Sequence, residues 1–320
     1  MQDIDKILSI NSDAGFNEAA LEFFTFQSEH CKPYKEYLRL IGVNPSEVDT
    51  VEKIPFLPIE FFKTREVYSG AGEPEIIFTS STTGGGEPSR HLMERKSDYE
   101  KTFRKAFSLF YGNPEDISIY ALLPSYLERE GSSLIYMIDN LIDSGSGGFY
   151  LSDYESLLRD MARNNRQKIL LGVSYALWDL AEKYAPKLPE KTIVRETGGR
   201  KGRREEIPKE QFHKLLCNAF GVGEIHSEYG MAELSSQAYS SGKGVFKSPP
   251  WMKIMIRDLN DPFALLPSGS NGGINIIDLA NISSCAFIQT QDIGAMDLDG
   301  NFVLLGRADH SEIRGCNLLI

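Results

Sequence analysis

The sequence is short of several features that would each decide its class. No apolar run approaches the ~18 residues of a membrane-spanning helix. The N-terminus, Met1 to Asp5, lacks the basic segment and apolar stretch of a signal peptide. The 4 cysteines are scattered without a Cys-x-x-Cys pair, which argues against a zinc site and a disulfide framework. We therefore expect a cytoplasmic protein in a reducing compartment.

Positive charge is also scarce, since the net charge is −11 at pH 7. Such a balance disfavours a nucleic-acid partner, because phosphate binding depends on clustered cationic side chains. One segment, residues 195–204, departs from this with five cations. It is interpreted either as a solvated turn or as a loop beside an anionic ligand.

What the chain does have is material for a large core, with 320 residues, 41% of them apolar. Between about residues 75 and 227, apolar β-type runs alternate with helical patterns, which predicts a helix-covered, mainly parallel sheet. The predicted strands are 75–79, 117–123, 168–173, 192–196 and 224–227. The predicted helices lie near 97–111, 132–143, 152–164, 174–184 and 208–219.

The ends of the chain have different patterns. Residues 3–64 read as short helices broken by Pro55 and Pro58. After about residue 245, strands at 252–257, 273–278, 286–290 and 302–306 are separated by turn signals, which indicates antiparallel pairing. We predict one α/β domain with a helical lead-in (1–70), an α/β part (71–244) and a β-rich part (245–320).

The stretch Ile77 to His91, IFTSSTTGGGEPSRH, places five consecutive hydroxyl residues and three glycines directly after a predicted strand. Backbone N–H groups and hydroxyls are the donors that hold phosphate oxygens, so the loop suits an anion. The spacing and lysine of a P-loop are absent. On its own, the stretch is equally compatible with an ordinary flexible loop.

Three further stretches follow in order: ETGGRKG (196–202), SEYGMAE (227–233) and QDIG with GRADHSEIRG (291–294 and 306–315). With the hydroxyl loop, they resemble the ordered motifs of the adenylate-forming superfamily over most of the chain. The narrower likeness, carried by IPFLPIEFFKTREV (54–67) and IRGCNLLI (313–320), is to the acyl-protein synthetases of bacterial luminescence. Phenylacetate-CoA ligases are more distantly similar.

The resemblance implies the fold of the large domain of these enzymes without their small C-terminal lid domain, and it implies ATP and Mg²⁺ as cofactors. It also implies a role for each matching residue. Those residues are, for the phosphates, Thr79, Ser80, Ser81, Thr82, Thr83 and Gly84; for adenine, Gly198 and Gly199; between nucleotide and acyl group, Tyr229 and Gly230; for Mg²⁺, Glu233; and for the ribose, Asp292 and Arg307.

Two positions need separate comment. Ala232 stands where the superfamily has threonine, so a hydroxyl near the α-phosphate is missing. Cys316 matches the cysteine that is acylated in the acyl-protein synthetases, and the neighbouring Arg307, His310 and Arg314 would favour its thiolate. A small apolar residue in a terminal strand is the alternative for Cys316, and Cys31, Cys217 and Cys285 are expected to be of that kind.

The expected function is ATP-dependent activation of a carboxylic acid, which we expect to be a fatty acid, followed by transfer to Cys316 and delivery to a reductase or acyltransferase partner. Residues 120–126, 172–178 and 226–231 are candidates for an apolar acid pocket. His226 either lines this pocket or is a satisfied core residue. The alternatives are an acyl- or aryl-CoA ligase whose lid is supplied in trans, and a degenerate protein that binds nucleotide or acyl-AMP without turnover.

Overall fold

The computed structural model describes residues 3–80, 87–123, 131–143, 146–198 and 207–308. The chain divides into two compact units, each assembled from separate parts of the sequence. The first unit comprises residues 1–75, 89–94 and 250–320, and the second comprises 76–88 and 95–249. The helical lead-in and the β-rich part therefore belong to the same unit, which local sequence patterns do not reveal.

The helices and strands of the described residues are numbered in chain order. The helices are α1 (Ile4–Ile7), α2 (Asp13–His30), α3 (Lys32–Leu40), α4 (Phe61–Thr64), α5 (Lys96–Tyr111), α6 (Ser133–Asp143), α7 (Tyr154–Arg163), α8 (Ser174–Tyr184) and α9 (Lys209–Phe220). The strands are β1 (Leu57–Pro58), β2 (Ile76–Thr79), β3 (Arg90–Met93), β4 (Ile117–Leu122), β5 (Ser146–Phe149), β6 (Gln167–Val173), β7 (Thr192–Thr197), β8 (Ile225–Tyr229), β9 (Ala238–Ser240), β10 (Val245–Phe246), β11 (Met252–Arg257), β12 (Asn271–Asp278), β13 (Phe287–Met296) and β14 (Phe302–Arg307). None of the described helices is both long and apolar enough to cross a bilayer.

The second unit is built on a sheet with the strand order β5-β4-β6-β7-β8-β9. Strands β5, β4, β6, β7 and β8 run parallel, and β9 closes the order antiparallel to β8. The predicted parallel sheet is therefore confirmed. Strand β4 is buried along its whole length, which explains why its sequence is mostly apolar.

Five of the strands, β1, β3, β5, β9 and β10, were not predicted from the sequence. β5 contains Gly147 and Gly148 and has no buried residue in its pattern, so it carries no strand signal. β3 lies in sequence between the hydroxyl loop and α5, whereas the sequence suggested that the loop leads directly into a helix. Gly147 has a positive φ, and a Cβ there would lie 1.8 Å from the carbonyl oxygen of Ile119, so a larger residue cannot occupy it.

The first unit contains the predicted antiparallel strands. β11 pairs with β12, β12 with β13, and β13 with β14, each antiparallel. The short strand β1 adds to β13 in parallel, with Leu57 opposite Ile288. This last pairing brings the lead-in segment to the middle of the β-rich part.

The lead-in helix α2 packs on the β-rich part through Gln27, which is fully buried. Its amide nitrogen donates to the carbonyl of Asn281 (2.9 Å), and its amide oxygen accepts from the N–H of Ala286 (2.8 Å). Phe24 and Tyr34 surround Phe287 at ring-centroid distances of 6.1 and 6.0 Å. One buried amide thus satisfies two backbone groups of the turn between β12 and β13.

We expect Gln27→Ala to lower the free energy of unfolding by roughly 2–4 kcal/mol, since it leaves a buried carbonyl and a buried N–H without their partner. Urea unfolding followed by circular dichroism measures this. Gln211→Ala, at an exposed position of α9, serves as the control and should change stability by less than about 0.5 kcal/mol. Equal effects of the two substitutions would contradict the stabilising role of the Gln27 hydrogen bonds.

Candidate functional site

The topology of the second unit predicts which edge of its sheet binds ligands. The chain runs from β4 outward to β5 and then returns to β6 on the other side of β4. In parallel α/β sheets, ligands bind beyond the carboxyl ends of the strands where the chain reverses direction in this way. The segments 120–126 and 172–178, expected to line an acid pocket, include the ends of β4 and β6. Residues 124–126 lie outside the described residues.

The base of the hydroxyl loop is anchored by backbone. Thr79 ends β2, and its N–H donates to the carbonyl of Gly131 at 2.8 Å. Gly131 has a φ of +79°, and a Cβ there would lie 2.8 Å from Oγ1 of Thr79. Ser80 is half-buried. The remaining predicted phosphate ligands, Ser81, Thr82, Thr83 and Gly84, lie outside the described residues.

Sequence reasoning missed Gly131. The available signal was the run Gly131-Ser132-Ser133 directly before the apolar residues of α6, which is typical of a turn that begins a helix. Its contact with Thr79, 52 positions away in the chain, could not be read from that signal. The structure thus adds a backbone element to the predicted phosphate loop.

Gly198, the first of the two predicted adenine glycines, follows β7 with a φ of +75°. Its carbonyl accepts a hydrogen bond of 3.0 Å from the hydroxyl of Ser174. Ser174 is the first residue of α8 and directly follows β6, the neighbour of β7 in the sheet. Gly199 and residues 200–206 lie outside the described residues.

The residue two positions before Gly198, Glu196, has a polar environment of its own. One carboxylate oxygen accepts from the Ser174 hydroxyl (2.9 Å), and the other lies 2.7 Å from Nε2 of His213 and 3.8 Å from Nζ of Lys209. Burial alone would raise the pKa of Glu196, but the hydrogen bond from His213 and the charge of Lys209 outweigh it, so the pKa is lowered. Glu196 is therefore a carboxylate held ionised inside the unit.

Tyr229, Gly230 and Glu233 follow the next strand along the sheet. Tyr229 ends β8 with 6% of its surface exposed, and its ring meets Phe246 edge-on at a centroid distance of 6.0 Å. Glu233 is 5% exposed. Among the described residues, no group of three or more His, Cys, Asp or Glu is placed to hold a metal ion. Mg²⁺ bound to phosphates needs only one or two carboxylates, so a single acid such as Glu233 fits that mode of binding.

A buried ion pair connects β7 and β8. Arg195 is completely buried, and Nη2 of its guanidinium lies 3.5 Å from Oε2 of Glu228, whose side chain is 4% exposed. The guanidinium carbon lies 5.4 to 5.8 Å from three ring centroids. Those rings belong to Phe107, Tyr111 and Tyr239. Arg195 is therefore a residue of β7 whose side chain is buried in the core of the unit, and it is not part of a solvated turn or a ligand loop.

His226 lies beside this ion pair. Its Nδ1 is 3.4 Å from the hydroxyl of Tyr111, and the two rings are 5.7 Å apart. Burial and the charge of Arg195 lower the pKa of His226 to about 4. The histidine is accordingly neutral at physiological pH and is held by the core, which is the second of the two interpretations offered from the sequence.

The two predicted ribose residues belong to the first unit, where they lie together. Asp292 and Arg307 are directly opposite each other in the β13–β14 pairing. Nη2 of Arg307 donates to the side-chain oxygen of Gln291 at 3.0 Å, and the Gln291 amide nitrogen donates to Glu60 at 2.5 Å. Glu60 lies in the lead-in motif, so that motif contributes a contact next to the predicted ribose site.

Of the cysteines, Cys316 lies outside the described residues, as do His310 and Arg314. Cys31 and Cys285 are fully buried, and burial raises the pKa of Cys31 to about 11. Cys217 is half-buried, and burial together with the charge of Glu224 raises its pKa. The pKa values of all three thiols are raised, so they are protonated at neutral pH, and Cys31 and Cys285 have the core-like character that was expected of them.

Solved structures share this architecture, although neither a family model nor a curated protein sequence matches the chain. A 2-hydroxyisobutyryl-CoA ligase, solved with 2-HIB-AMP and CoA, aligns with 93% of this chain and 75% of its own, at 13% identity and a TM-score of 0.68. ATP-bound MatB from Rhodopseudomonas palustris aligns with 74% of this chain at 18% identity and a TM-score of 0.57. A luciferase-like enzyme from the mealworm Zophobas morio aligns with 74% of this chain and 58% of its own, at 14% identity and a TM-score of 0.53.

The chain has the α/β fold of the large domain of adenylate-forming enzymes. It spans about half the length of MatB, 49% of that chain. At these identities, the likeness establishes the fold alone. Roles for individual residues therefore rest on the geometry described above and on the motifs in the sequence.

Gly131→Ala should weaken MgATP binding while leaving the protein folded, because the added methyl group displaces Thr79 at the base of the hydroxyl loop. We expect roughly a tenfold or greater rise in the Kd, the equivalent of about 1.4 kcal/mol. Isothermal titration calorimetry measures it. Gly300→Ala is the matched control, since Gly300 has the same φ of +79° with nothing within 4 Å of the place that its added methyl group would take. A similar loss of affinity in both variants would indicate general backbone strain instead.

His226 should make stability depend on pH between about 4 and 6.5, its folded and ordinary pKa values. In this window, the unfolded chain binds more protons than the folded one, so stability falls as pH decreases. We expect His226→Gln to flatten this part of the profile in urea unfolding at a series of pH values. His30→Gln, at an exposed position, should leave the profile unchanged. If the stability of His226→Gln still depended on pH as strongly as that of the wild type, the assignment of His226 as a neutral histidine with a lowered pKa would be wrong.

Proposed function

We propose that this protein activates a carboxylic acid with MgATP to form an acyl adenylate and pyrophosphate. The observation that carries the proposal is the likeness of 93% of the chain to a ligase solved with an acyl adenylate. Two features of the chain support it. Gly198, the predicted adenine glycine, directly follows β7 at its carboxyl end, which is where ligands bind in such folds. Asp292 and Arg307, the predicted ribose residues, lie opposite each other on β13 and β14.

In the proposed first step, a carboxylate oxygen of the acid attacks the α-phosphorus of ATP, and the bond to the bridging oxygen of pyrophosphate breaks. Backbone N–H groups and hydroxyls of the loop that begins at Thr79 hold the phosphate oxygens. Asp292 accepts hydrogen bonds from the ribose, and Gly198 leaves room for the flat adenine ring. Glu233 would hold Mg²⁺, which neutralises charge on the phosphates.

In the proposed second step, the thiolate of Cys316 attacks the acyl carbon, and AMP leaves with the electron pair of the acyl–oxygen bond. The product is a thioester on the protein, which a reductase or acyltransferase would then accept. This step rests on the resemblance of the C-terminal segment to the acyl-protein synthetases. The same resemblance favours a fatty acid.

A CoA ligase is the second candidate, because the similar 2-hydroxyisobutyryl-CoA ligase was solved with CoA as well as the adenylate. In that case, CoA and not Cys316 would take the acyl group. The two candidates share the first step and differ only in the acceptor.

Acid-dependent exchange of labelled pyrophosphate into ATP tests the first step. We expect exchange with at least one acid from a panel of fatty, aromatic and hydroxy acids. Asp292→Ala should reduce kcat/KM for MgATP by roughly tenfold or more, since it removes a charge-assisted hydrogen bond worth about 1.5–3 kcal/mol. Asp299→Ala, at an exposed hairpin position, is the control. MgATP binding without exchange for any acid would instead support the degenerate binding protein suggested by Ala232.

Intact-mass spectrometry with the active acid tests the acceptor. An ATP-dependent acyl mass gain is expected in wild type and in Cys217→Ser, and its loss is expected in Cys316→Ser. Formation of acyl-CoA at equal rates by wild type and Cys316→Ser, with no acyl-protein, would establish the CoA ligase. Failure of the acylated protein to transfer its acyl group to any reductase would remove that partner from the proposal.

A further inference from the structure

The Glu196 carboxylate is connected to three side chains that come from two different helices. Ser174 is the first residue of α8, and Lys209 and His213 belong to the first turns of α9. Ser174 is 1% exposed and His213 is 9% exposed, so the hydrogen bonds to them are protected from water. Hydrogen bonds of this kind, with an ionised acceptor and little solvent, are stronger than neutral ones.

Ser174 connects this carboxylate to the backbone of the predicted adenine turn. Its hydroxyl lies 2.9 Å from Oε1 of Glu196 and 3.0 Å from the carbonyl oxygen of Gly198. A hydroxyl carries one proton, so the two acceptors share it, and their positions become dependent on each other. The Gly198 carbonyl is therefore set by Ser174 and Glu196 as well as by its own φ of +75°.

The arrangement is not a nucleophilic triad. In such a triad, the serine hydroxyl bonds to the histidine, which in turn bonds to the acid. Here the hydrogen bonds of the Ser174 hydroxyl go to Glu196 and Gly198, and His213 contacts the opposite oxygen of the same carboxylate. The geometry fits a role in holding the strand end and does not fit attack on a substrate.

Contacts of Glu196 also extend through Lys209 toward Tyr229, in the second predicted nucleotide motif. Nζ of Lys209 is 3.8 Å from Oε2 of Glu196 and 5.3 Å from the centroid of the Phe246 ring. Phe246 in turn meets Tyr229 edge-on. Glu196 is thus linked through Ser174 to Gly198, and through Lys209 and Phe246 to Tyr229, which ends β8.

We propose that Ser174, Glu196 and His213 are positioning residues that fix the carbonyl and backbone of Gly198, the predicted adenine glycine. This inference rests on the proposed nucleotide site and assigns to it Glu196, which had no role of its own in the motif, together with Ser174 and His213, which lie outside the motifs. Because they act on ground-state binding of ATP, their loss should raise the Kd and KM for MgATP and leave kcat nearly unchanged.

The test compares Ser174→Ala with Ser118→Ala by calorimetric titration of MgATP, thermal unfolding and pyrophosphate exchange. Both serines are buried and hydrogen-bonded, but Ser174 directly follows the carboxyl end of β6, whereas Ser118 lies near the amino end of β4. We expect Ser174→Ala to raise the MgATP Kd roughly fivefold, as for the loss of one hydrogen bond. Ser118→Ala should lower the melting temperature comparably without changing the Kd.

Glu196→Gln and Glu196→Ala provide a second comparison. Glutamine keeps an oxygen that can accept from Ser174, so it should retain much of the affinity that alanine loses. An unchanged Kd in both Ser174→Ala and Glu196→Ala overturns the inference, as does an equal rise in Ser118→Ala. Wild-type binding of MgATP without exchange would refute the proposed reaction alone, whereas absence of MgATP binding by wild type would overturn both.

Discussion

The hydrogen-bonded register between β6 and β7 is the constraint on which the candidate site depends. Glu196 lies opposite Gly172, and Thr197 lies opposite Val173. Because the strands are parallel, their carboxyl ends meet at one edge, and Ser174 follows β6 where Gly198 follows β7. A shift of one residue would turn Glu196 to the opposite face of the sheet. The contacts of Ser174, Glu196 and Gly198 are thus consequences of strand pairing.

The alternation of side chains between the two faces of the sheet also explains why the pKa values of Glu196 and Glu228 are shifted in opposite directions. Glu196 faces α8 and α9, where a hydroxyl, an imidazole and an ammonium group stabilise its ionised form and lower its pKa. Glu228, on the neighbouring strand, is buried among aromatic rings with Arg195, and there burial outweighs the guanidinium charge and raises the pKa. The difference lies in the number of hydrogen bonds that each carboxylate receives.

The sequence was a good guide to the strands and helices whose patterns are set by burial. β4, β6 and β7 are predicted within one or two residues because their apolar runs match a sheet covered on both faces. β5 was missed because its glycines carry no such pattern. The two units could not be predicted, since each joins segments that are far apart in the chain.

For the candidate site, motif order identified residue types at the strand ends but could not identify their supports. Gly131 contacts Thr79, 52 positions away in the chain, and His213 of α9 contacts Glu196 of β7, and the local sequence pattern predicts neither contact. Arg195 shows the converse limit. Its cationic neighbours in sequence suggested a surface turn, yet strand alternation places it in the interior, where Glu228 and three rings compensate for its burial.

Main-chain atoms form much of the support of the predicted nucleotide loops. The Thr79 N–H is held by the Gly131 carbonyl, and the Gly198 carbonyl is held by a single small hydroxyl. Contacts of this kind require a backbone path and one or two small residues, and most neighbouring side chains can change without disturbing them. A fold can therefore keep its nucleotide loops while its sequence diverges. This accounts for a chain that shares its architecture with adenylate-forming enzymes at low sequence identity.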